Sequence, residues 1–161
     1  MRIYLLAFVL TISCTMPPQR ENSSEILIMQ RIWDSKDPGL AYSQLSELKR
    51  VEETEKFYVL AISNENNVPR LSITYDKQTN KAVSASLWLF ESSKGTADYI
   101  KSQIKTSDWK TFEHQAKSHP LRAEVSEYSD SKGISFLYDK LDSKKEVRKL
   151  YWGVDPKSIN W

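Results

Sequence analysis

Apolar and polar residues alternate along residues 71–75, where leucine, isoleucine and tyrosine are separated by serine and threonine. This two-residue period is typical of a half-buried β-strand. A turn-rich run at 76–80 follows, and the chain then returns as a second predicted strand over about 82–90. Another strand is predicted over 56–63, so this part of the chain indicates three antiparallel strands.

The same order of residues recurs later in the chain. Residues 134–140 repeat the serine and the Tyr-Asp-Lys run of 71–77 at a shift of 63 positions. After one inserted residue, the lysine, valine and tryptophan of 81–88 recur in 145–152, and a strand over 121–128 completes the second set. We interpret these matches as a duplication, although hairpins that reuse the same turn residues also give short matches by chance.

Helical spacing of apolar residues precedes each set of strands. Asp37 followed by Pro38 is a typical helix start, and the periodic positions continue through Leu48 and Val51. In the second half, Thr96 is the predicted N-cap. The apolar positions predicted for that helix are Ala97, Ile100, Ile104, Trp109 and Phe112.

Residues 26–33 hold too many apolar side chains for a short helix with one apolar face, so helix and strand both stay open, and we favour helix. The resulting pattern predicts an α+β fold of duplicated αβββ units, with an antiparallel sheet and helices packed on one face. We expect one domain over residues 25–161, in two similar halves of about 37–91 and 95–153.

The N-terminal pattern differs from the rest. Arg2 precedes an apolar run from Ile3 to Ile12, which is followed by Ser13 and the only cysteine, Cys14. This order is typical of an export signal peptide and is too short to cross a bilayer as a mature helix. A lone cysteine also has no companion for a disulfide or a zinc site.

Residues 10–14, Leu-Thr-Ile-Ser-Cys, resemble the cleavage box of bacterial lipoproteins, in which a signal peptidase cuts before a cysteine that carries diacylglycerol. The resemblance implies a signal peptide over residues 1–13 and a lipid on Cys14 that holds the protein on a membrane. The alternative is a plain secretory peptide cut near Ser13 or Thr15, with Cys14 incidental.

Residues 14–24 contain two prolines and almost nothing apolar, which predicts a flexible tether between the lipid anchor and the domain. Thr15 stands where, in many enteric bacteria, an aspartate retains lipoproteins at the inner membrane. The lipoprotein resemblance therefore implies export and lipid anchoring to the outer membrane, facing the periplasm or the cell surface.

The composition is that of an ordinary globular protein, with 40% hydrophobic and 27% charged residues and a net charge of +2. Such a balance argues against a nucleic-acid partner. The four glycines are widely separated, which excludes a glycine-rich phosphate loop. No second apolar run is long enough to cross a membrane.

The sequence holds no recognisable catalytic constellation. His114 and His119 lie five residues apart and are interpreted as exposed polar residues near a helix end. Residues 102–105 match Ser-x-x-Lys without its companion motifs, and Asp76 and Asp139 are explained by turn formation. We therefore expect no enzyme, no cofactor and no metal.

The order of elements carries a second resemblance. A lipoprotein leader followed by helices and three-stranded meanders resembles the small outer-membrane-assembly lipoproteins, and the tandem form resembles the secreted β-lactamase-inhibitor proteins. In those families the sheet presents a face to another protein. The resemblance is architectural, covers about Asp37 to Gly153, and carries over no functional residue.

Alternation within the returning strands predicts an aromatic patch on the sheet face opposite the helices. If Val83 and Val147 point towards the helices, Tyr151 does so as well. The predicted protein-binding patch on the opposite face then consists of Trp88, Phe90, Leu150 and Trp152. The alternative is that residues 26–33 or the C-terminal tail to Trp161 cover this opposite face.

These features predict a non-enzymatic, membrane-anchored lipoprotein that binds another envelope protein as an assembly factor, scaffold or adaptor. Two alternatives stay open. One is a periplasmic inhibitor or immunity-type protein that acts against an envelope hydrolase. The other is a small envelope enzyme whose site is assembled from scattered residues.

Overall fold

The computed structural model describes residues 22–64, 66–89, 95–116 and 119–159, and these residues form an α+β fold dominated by antiparallel sheet. The predicted signal peptide, Cys14 and the tether up to residue 21 lie outside the described residues. Phe90 of the predicted patch lies outside them as well.

The described residues contain three helices: α1 (Asn22–Ser35), α2 (Pro38–Gln44) and α3 (Ala97–Gln103). The strands of the first half are β1 (Lys49–Glu53), β2 (Phe57–Ser63), β3 (Pro69–Asp76) and β4 (Lys81–Trp88). Those of the second half are β5 (Gly95–Thr96), β6 (Trp109–Ala116), β7 (His119–Ser129), β8 (Ile134–Asp139), β9 (Glu146–Val147) and β10 (Lys149–Trp152). A turn of 3₁₀ helix follows at Pro156–Ser158.

Eight strands form one antiparallel sheet in the order β1-β2-β3-β4-β10-β8-β7-β6, while β5 pairs separately with β9. The two halves of the chain therefore occupy opposite halves of the sheet and meet where β4 pairs with β10. Each half contributes four strands to this sheet. The predicted count of three was wrong because the sequence interpretation extended the helices over β1 and β6.

α1 confirms the helical interpretation of residues 26–33. Ile26, Met29 and Ile32 recur at three-residue spacing and are fully buried, so the helix presents one apolar stripe. Because α1 begins at Asn22, it includes the last three residues of the predicted tether.

The predicted start of α2 is confirmed, but its predicted length is wrong. The Asp37 carboxylate accepts a hydrogen bond from the Gly39 amide at 2.9 Å, as an N-cap does. The helix ends at Gln44, and Val51 lies in β1, which pairs with β2. Leu48 is buried ahead of that strand. Pairing with the edge of β2 outweighs the helical spacing of these residues.

α3 also begins where the sequence predicts and ends earlier than predicted. The Thr96 hydroxyl accepts from the Tyr99 amide at 3.2 Å, which confirms the predicted cap. Ala97, Ile100 and Ile104 are buried as expected, but Trp109 and Phe112 lie in β6 and not in a helix. Residues three apart share a helix face but point to opposite faces of a strand, so the two aromatic residues diverge.

Apolar residues of all three helices belong to the same buried cluster as one face of the large sheet, which we call the core face. The core face includes Leu60, Ile73, Leu87, Leu150, Phe136 and Tyr138. The opposite face, which we call the outer face, includes Ser72, Ser86, Trp88, Tyr151 and Ser135.

Two glycines seat the end of α1 on the sheet. Gly133 and Gly153 have φ angles of +62° and +66°, and the Gly153 amide donates to the Gly133 carbonyl at 2.9 Å. A Cβ atom at either position would overlap the Trp33 ring. Glycine is required here both by the left-handed backbone and by the close approach of the indole.

α3 is held to the sheet by a buried carboxylate. Glu127 on β7 is almost completely buried, and one of its oxygens lies 2.7 Å from Lys101 Nζ. The other oxygen accepts from the Tyr138 hydroxyl at 2.9 Å. Burial and this hydrogen bond raise the pKa of Tyr138.

Candidate functional site

The centre of the outer face carries a cation between two aromatic rings. Lys149 on β10 lies directly opposite Trp88 on β4, and Tyr151 follows on the same face of β10. Lys149 Nζ is 4.8 Å from the centroid of the Trp88 ring and 4.9 Å from that of Tyr151. These distances are within the range of cation–π attraction. We call this group the Trp88–Lys149–Tyr151 cluster.

Burial changes the titration of both polar groups in the cluster. It lowers the pKa of Lys149 and raises the pKa of Tyr151, because removal of water disfavours each charged form. A partly desolvated ammonium group interacts more strongly with the rings and with an incoming acceptor than a fully hydrated one does.

Small hydroxyl side chains surround the cluster on the side of the first half. The Ser72 and Ser86 hydroxyls are 3.0 Å apart across β3 and β4, and Ser84 and Thr74 pair on the same face. These side chains are short, so they leave a low, polar surface beside Trp88.

A second aromatic group lies on the outer face of β6 and β7. The rings of Phe112 and Tyr128 are 6.2 Å apart in an edge-to-face arrangement, and Lys110 Nζ is 5.8 Å from the Tyr128 ring. The outer face therefore offers aromatic and cationic contacts at two places along the described strands.

His114 is bonded to a buried serine. Its Nε2 atom is 2.9 Å from Ser126 Oγ, and Glu124 lies opposite it on β7. Burial raises the pKa of Glu124. Because Ser126 has 0% exposure, its hydroxyl cannot meet a substrate at this surface. The interpretation of His114 as lying near a helix end was wrong, since it sits in β6.

The C-terminal segment covers another part of the outer face. Ser135 Oγ donates to the Val154 carbonyl at 3.3 Å, the 3₁₀ turn contacts β7, and Ile159 is buried. An open cleft of about 450 Å³ lies between this segment and the β7–β8 turn. The tail thus covers β7 and β8, whereas α1 contacts the core face through Gln30 and Trp152.

The structure separates the residues of the predicted patch. Trp88 lies on the outer face, but Leu150 and Trp152 lie on the core face with 0% exposure, so their predicted outward orientation was wrong. Tyr151 takes the outward position instead. The reason is that Val147 belongs to β9 and pairs with Gly95, so alternation counted from Val147 is out of step in β10.

A β-bulge explains a second error of orientation. The register of β3 with β4 shifts between Thr74 and Tyr75, which leaves Val83 as the extra residue. Val83 was predicted to face the helices and is 41% exposed instead. The predicted match of Trp88 with Trp152 fails too, because these residues lie on opposite faces of the sheet.

The acidic residues of the turns hold the backbone. The Asp76 carboxylate accepts from the Thr79 amide at 2.7 Å, and that of Asp139 accepts from the Leu141 amide at 2.9 Å, which confirms the turn interpretation. Asp108 accepts from Ser129, Thr106 and Ser131, and these bonds hold its pKa well below the usual range.

Comparisons with protein-family models, curated proteins and solved structures found no match to this chain. Within residues 22–64, 66–89, 95–116 and 119–159, no three histidine, cysteine or acidic side chains are grouped so that they could hold a metal ion. The same described residues contain no helix with the length and apolar character needed to span a membrane.

Proposed function

We propose that this chain is a non-enzymatic, lipid-anchored protein of the bacterial envelope that binds another protein through the outer face of its sheet. The observation that carries the proposal is the Trp88–Lys149–Tyr151 cluster, which lies on the two central strands of the sheet. Tryptophan and tyrosine are enriched among the residues that dominate protein-binding energies.

The position of the cluster supports rigid recognition. β4 and β10 are paired to each other and each is paired to a further strand, so their backbone is fixed on both sides. A partner that docks there loses little energy to ordering of the surface, because the surface is already ordered.

The chemistry of the cluster indicates the kind of partner surface. Lys149 is partly desolvated between two rings, and the Ser72 and Ser86 hydroxyls lie on the same face of the neighbouring strands. Such a site favours a protein segment that places a carboxylate or a backbone carbonyl near the ammonium group and apolar atoms against the rings.

Cys14 is the proposed point of lipid attachment, with the domain exported and anchored to the outer membrane. The support is the signal-peptide pattern of residues 1–13 and the lipoprotein box at 10–14. Membrane attachment would raise the local concentration of the binding face near other envelope proteins.

We also propose that the two halves are copies of one unit, a helix with four strands, whose helices share the core face. The support is the symmetric strand order and the shift of 63 positions that relates Tyr75 to Tyr138. Both tyrosines lie on the core face.

Capture of the partner from solubilised envelope tests the proposed binding function. The full chain with Trp88→Ala and Tyr151→Ala should lose a partner that the unchanged chain retains at fixed stoichiometry. Tyr99→Ala is the matched control, since Tyr99 is an exposed aromatic residue on α3. Retention of the partner by the double variant, with a folded sheet by circular dichroism, would contradict the proposal.

A further inference from the structure

The start of α1 and the most exposed apolar side chains of the described residues lie at the same end of the large sheet. Antiparallel pairing brings the start of β3, the end of β4, the start of β7 and the end of β8 to this end. We call it the tether end, for the reason given next.

The N-terminal part of α1 lies at the tether end. Glu25, in the first turns of α1, forms an ion pair with Arg70 near the start of β3. The other end of α1 is fixed far away, where Trp33 rests on Gly133 and Gly153. α1 therefore begins at the tether end, and Cys14 precedes its first residue by eight positions in the sequence.

Two leucines project from this end into solvent. Leu121 is 91% exposed and Leu141 is 87% exposed, whereas the other large apolar side chains found exposed in the described residues range from 37% to 52%. The two leucines lie on neighbouring strand ends, since the Lys140 amide donates to the Ala123 carbonyl at 3.0 Å. The two most exposed of these side chains therefore lie together at the tether end.

The charged groups around the leucines are mostly paired. Asp139 and Asp142 accept bonds from backbone amides of the same turn, and Lys140 Nζ forms an ion pair with Glu113. Lys144 is exposed near Leu141, and a long lysine side chain can reach a phosphate group while its neighbour enters apolar surroundings.

We propose that Leu121 and Leu141 insert into the interfacial layer of the phospholipid bilayer to which the chain is tethered, with Lys144 among the lipid phosphates. The inference rests on the proposed lipid anchor. Residues 14–21 span about 28 Å at most when fully extended, so the anchor keeps the tether end close to the bilayer. The sheet then stands on the membrane with its strands upright and its outer face turned sideways.

Hydrogen exchange on a tethered chain tests this contact. The chain that begins at Cys14 is coupled through this residue to maleimide-bearing lipid, in vesicles of phosphatidylethanolamine and phosphatidylglycerol. Backbone amides of residues 141–145 should exchange about tenfold more slowly than in the uncoupled chain. Amides of the turn at 77–82, at the opposite end of the sheet, should exchange equally in both.

Serine variants separate insertion from mere proximity. Leu121→Ser with Leu141→Ser should abolish the slower exchange while the chain stays coupled, and Val83→Ser, an exposed apolar residue at the far end, should preserve it. Equal exchange in coupled and uncoupled chains would overturn the proposal. Concentration-dependent protection without vesicles would overturn it in favour of a second copy of the chain as the occupant.

The coupling chemistry keeps this test independent of the anchor itself. If radiolabelled palmitate does not enter the native protein but coupled chains show the protection, the proposed lipidation fails while the bilayer contact stands. If palmitate is incorporated but protection is absent, the anchor stands and the contact fails.

Discussion

The indole nitrogen of Trp152 donates a hydrogen bond to Gln30 Oε1 at 2.9 Å, which joins the last strand to the first helix across 122 residues. Both side chains are buried, and the Gln30 amide nitrogen also donates to Asp34 and to the Lys132 carbonyl. The helix nearest the proposed anchor is thereby fixed to the centre of the sheet.

Loss of this bond should destabilise the domain measurably. Trp152→Phe leaves the buried Gln30 oxygen without its donor, so we expect the free energy of unfolding to fall by about 2–4 kcal/mol through the lost bond and the smaller ring. Urea denaturation measures the change. Trp88→Phe on the outer face is the control and should cost about 1 kcal/mol or less; equal losses would contradict the assignment of Trp152 to the core.

Gly153→Ala should destabilise the domain by about 2–4 kcal/mol, because it combines a left-handed backbone with a collision against Trp33. Thermal unfolding would detect the change. Trp33→Ala in the same chain should make the Gly153→Ala substitution less costly, since the ring is then absent. Additive effects of the two substitutions would show that the indole does not occupy this position.

Lys101→Met should lower the free energy of unfolding by about 3 kcal/mol, because it leaves the buried Glu127 carboxylate without its cation. Lys110→Met is the matched control, since Lys110 and Asp130 form an ion pair in solvent whose loss should cost less than about 1 kcal/mol. Denaturant unfolding of both variants at neutral pH makes the comparison. Similar losses would rule out a buried role for Glu127.

Stability should rise with pH between about 8 and 10. Burial beside the Trp33 ring lowers the pKa of Lys36 to about 8, although Asp34 opposes the shift. In this window the unfolded chain binds more protons than the folded chain, so raising the pH favours the folded state. Lys36→Gln should flatten the rise in urea midpoints, and an unchanged profile would contradict the buried position of the amine.

Above about pH 10 the sign should reverse. Burial raises the pKa of Tyr75, Tyr138 and Tyr151 above the ordinary value. The unfolded chain then releases protons that the folded chain keeps, so the free energy of unfolding falls as the pH rises. Tyr75→Phe should make the free energy of unfolding fall less steeply with pH. A spectrophotometric titration of the folded chain in which all tyrosines ionise at the same pH would contradict the raised pKa values.

Local signals in the sequence predicted several elements well. The caps at Asp37 and Thr96 depend only on a side chain and the next few amides, so their positions could be found without tertiary information. The turn acids Asp76 and Asp139 were found for the same reason.

Register could not be predicted, because it depends on bulges and interruptions that leave no mark in the apolar pattern. The extra residue Val83 puts the residues before it in β4 out of step with those after it. The break between β9 and β10 likewise puts the inward and outward positions of β10 out of step with those of β9. Because of this break, Leu150 and Trp152 lie on the core face and Tyr151 lies on the outer face, the reverse of the prediction. The candidate binding face therefore contains Tyr151 in place of the other two residues. The strands β1 and β6 were missed because their residues have helical apolar spacing. They form strands because they pair with the edges of β2 and β7, and this pairing is not visible in the sequence.

The most direct test of the outer face as a binding surface is site-specific photo-crosslinking in intact cells. A benzoylphenylalanine at Ser86, beside the Trp88–Lys149–Tyr151 cluster, should yield a discrete adduct with one envelope protein, and the same group at Tyr99 on α3 should not. An adduct formed from Tyr99 but not from Ser86, or none from either position, would contradict the account.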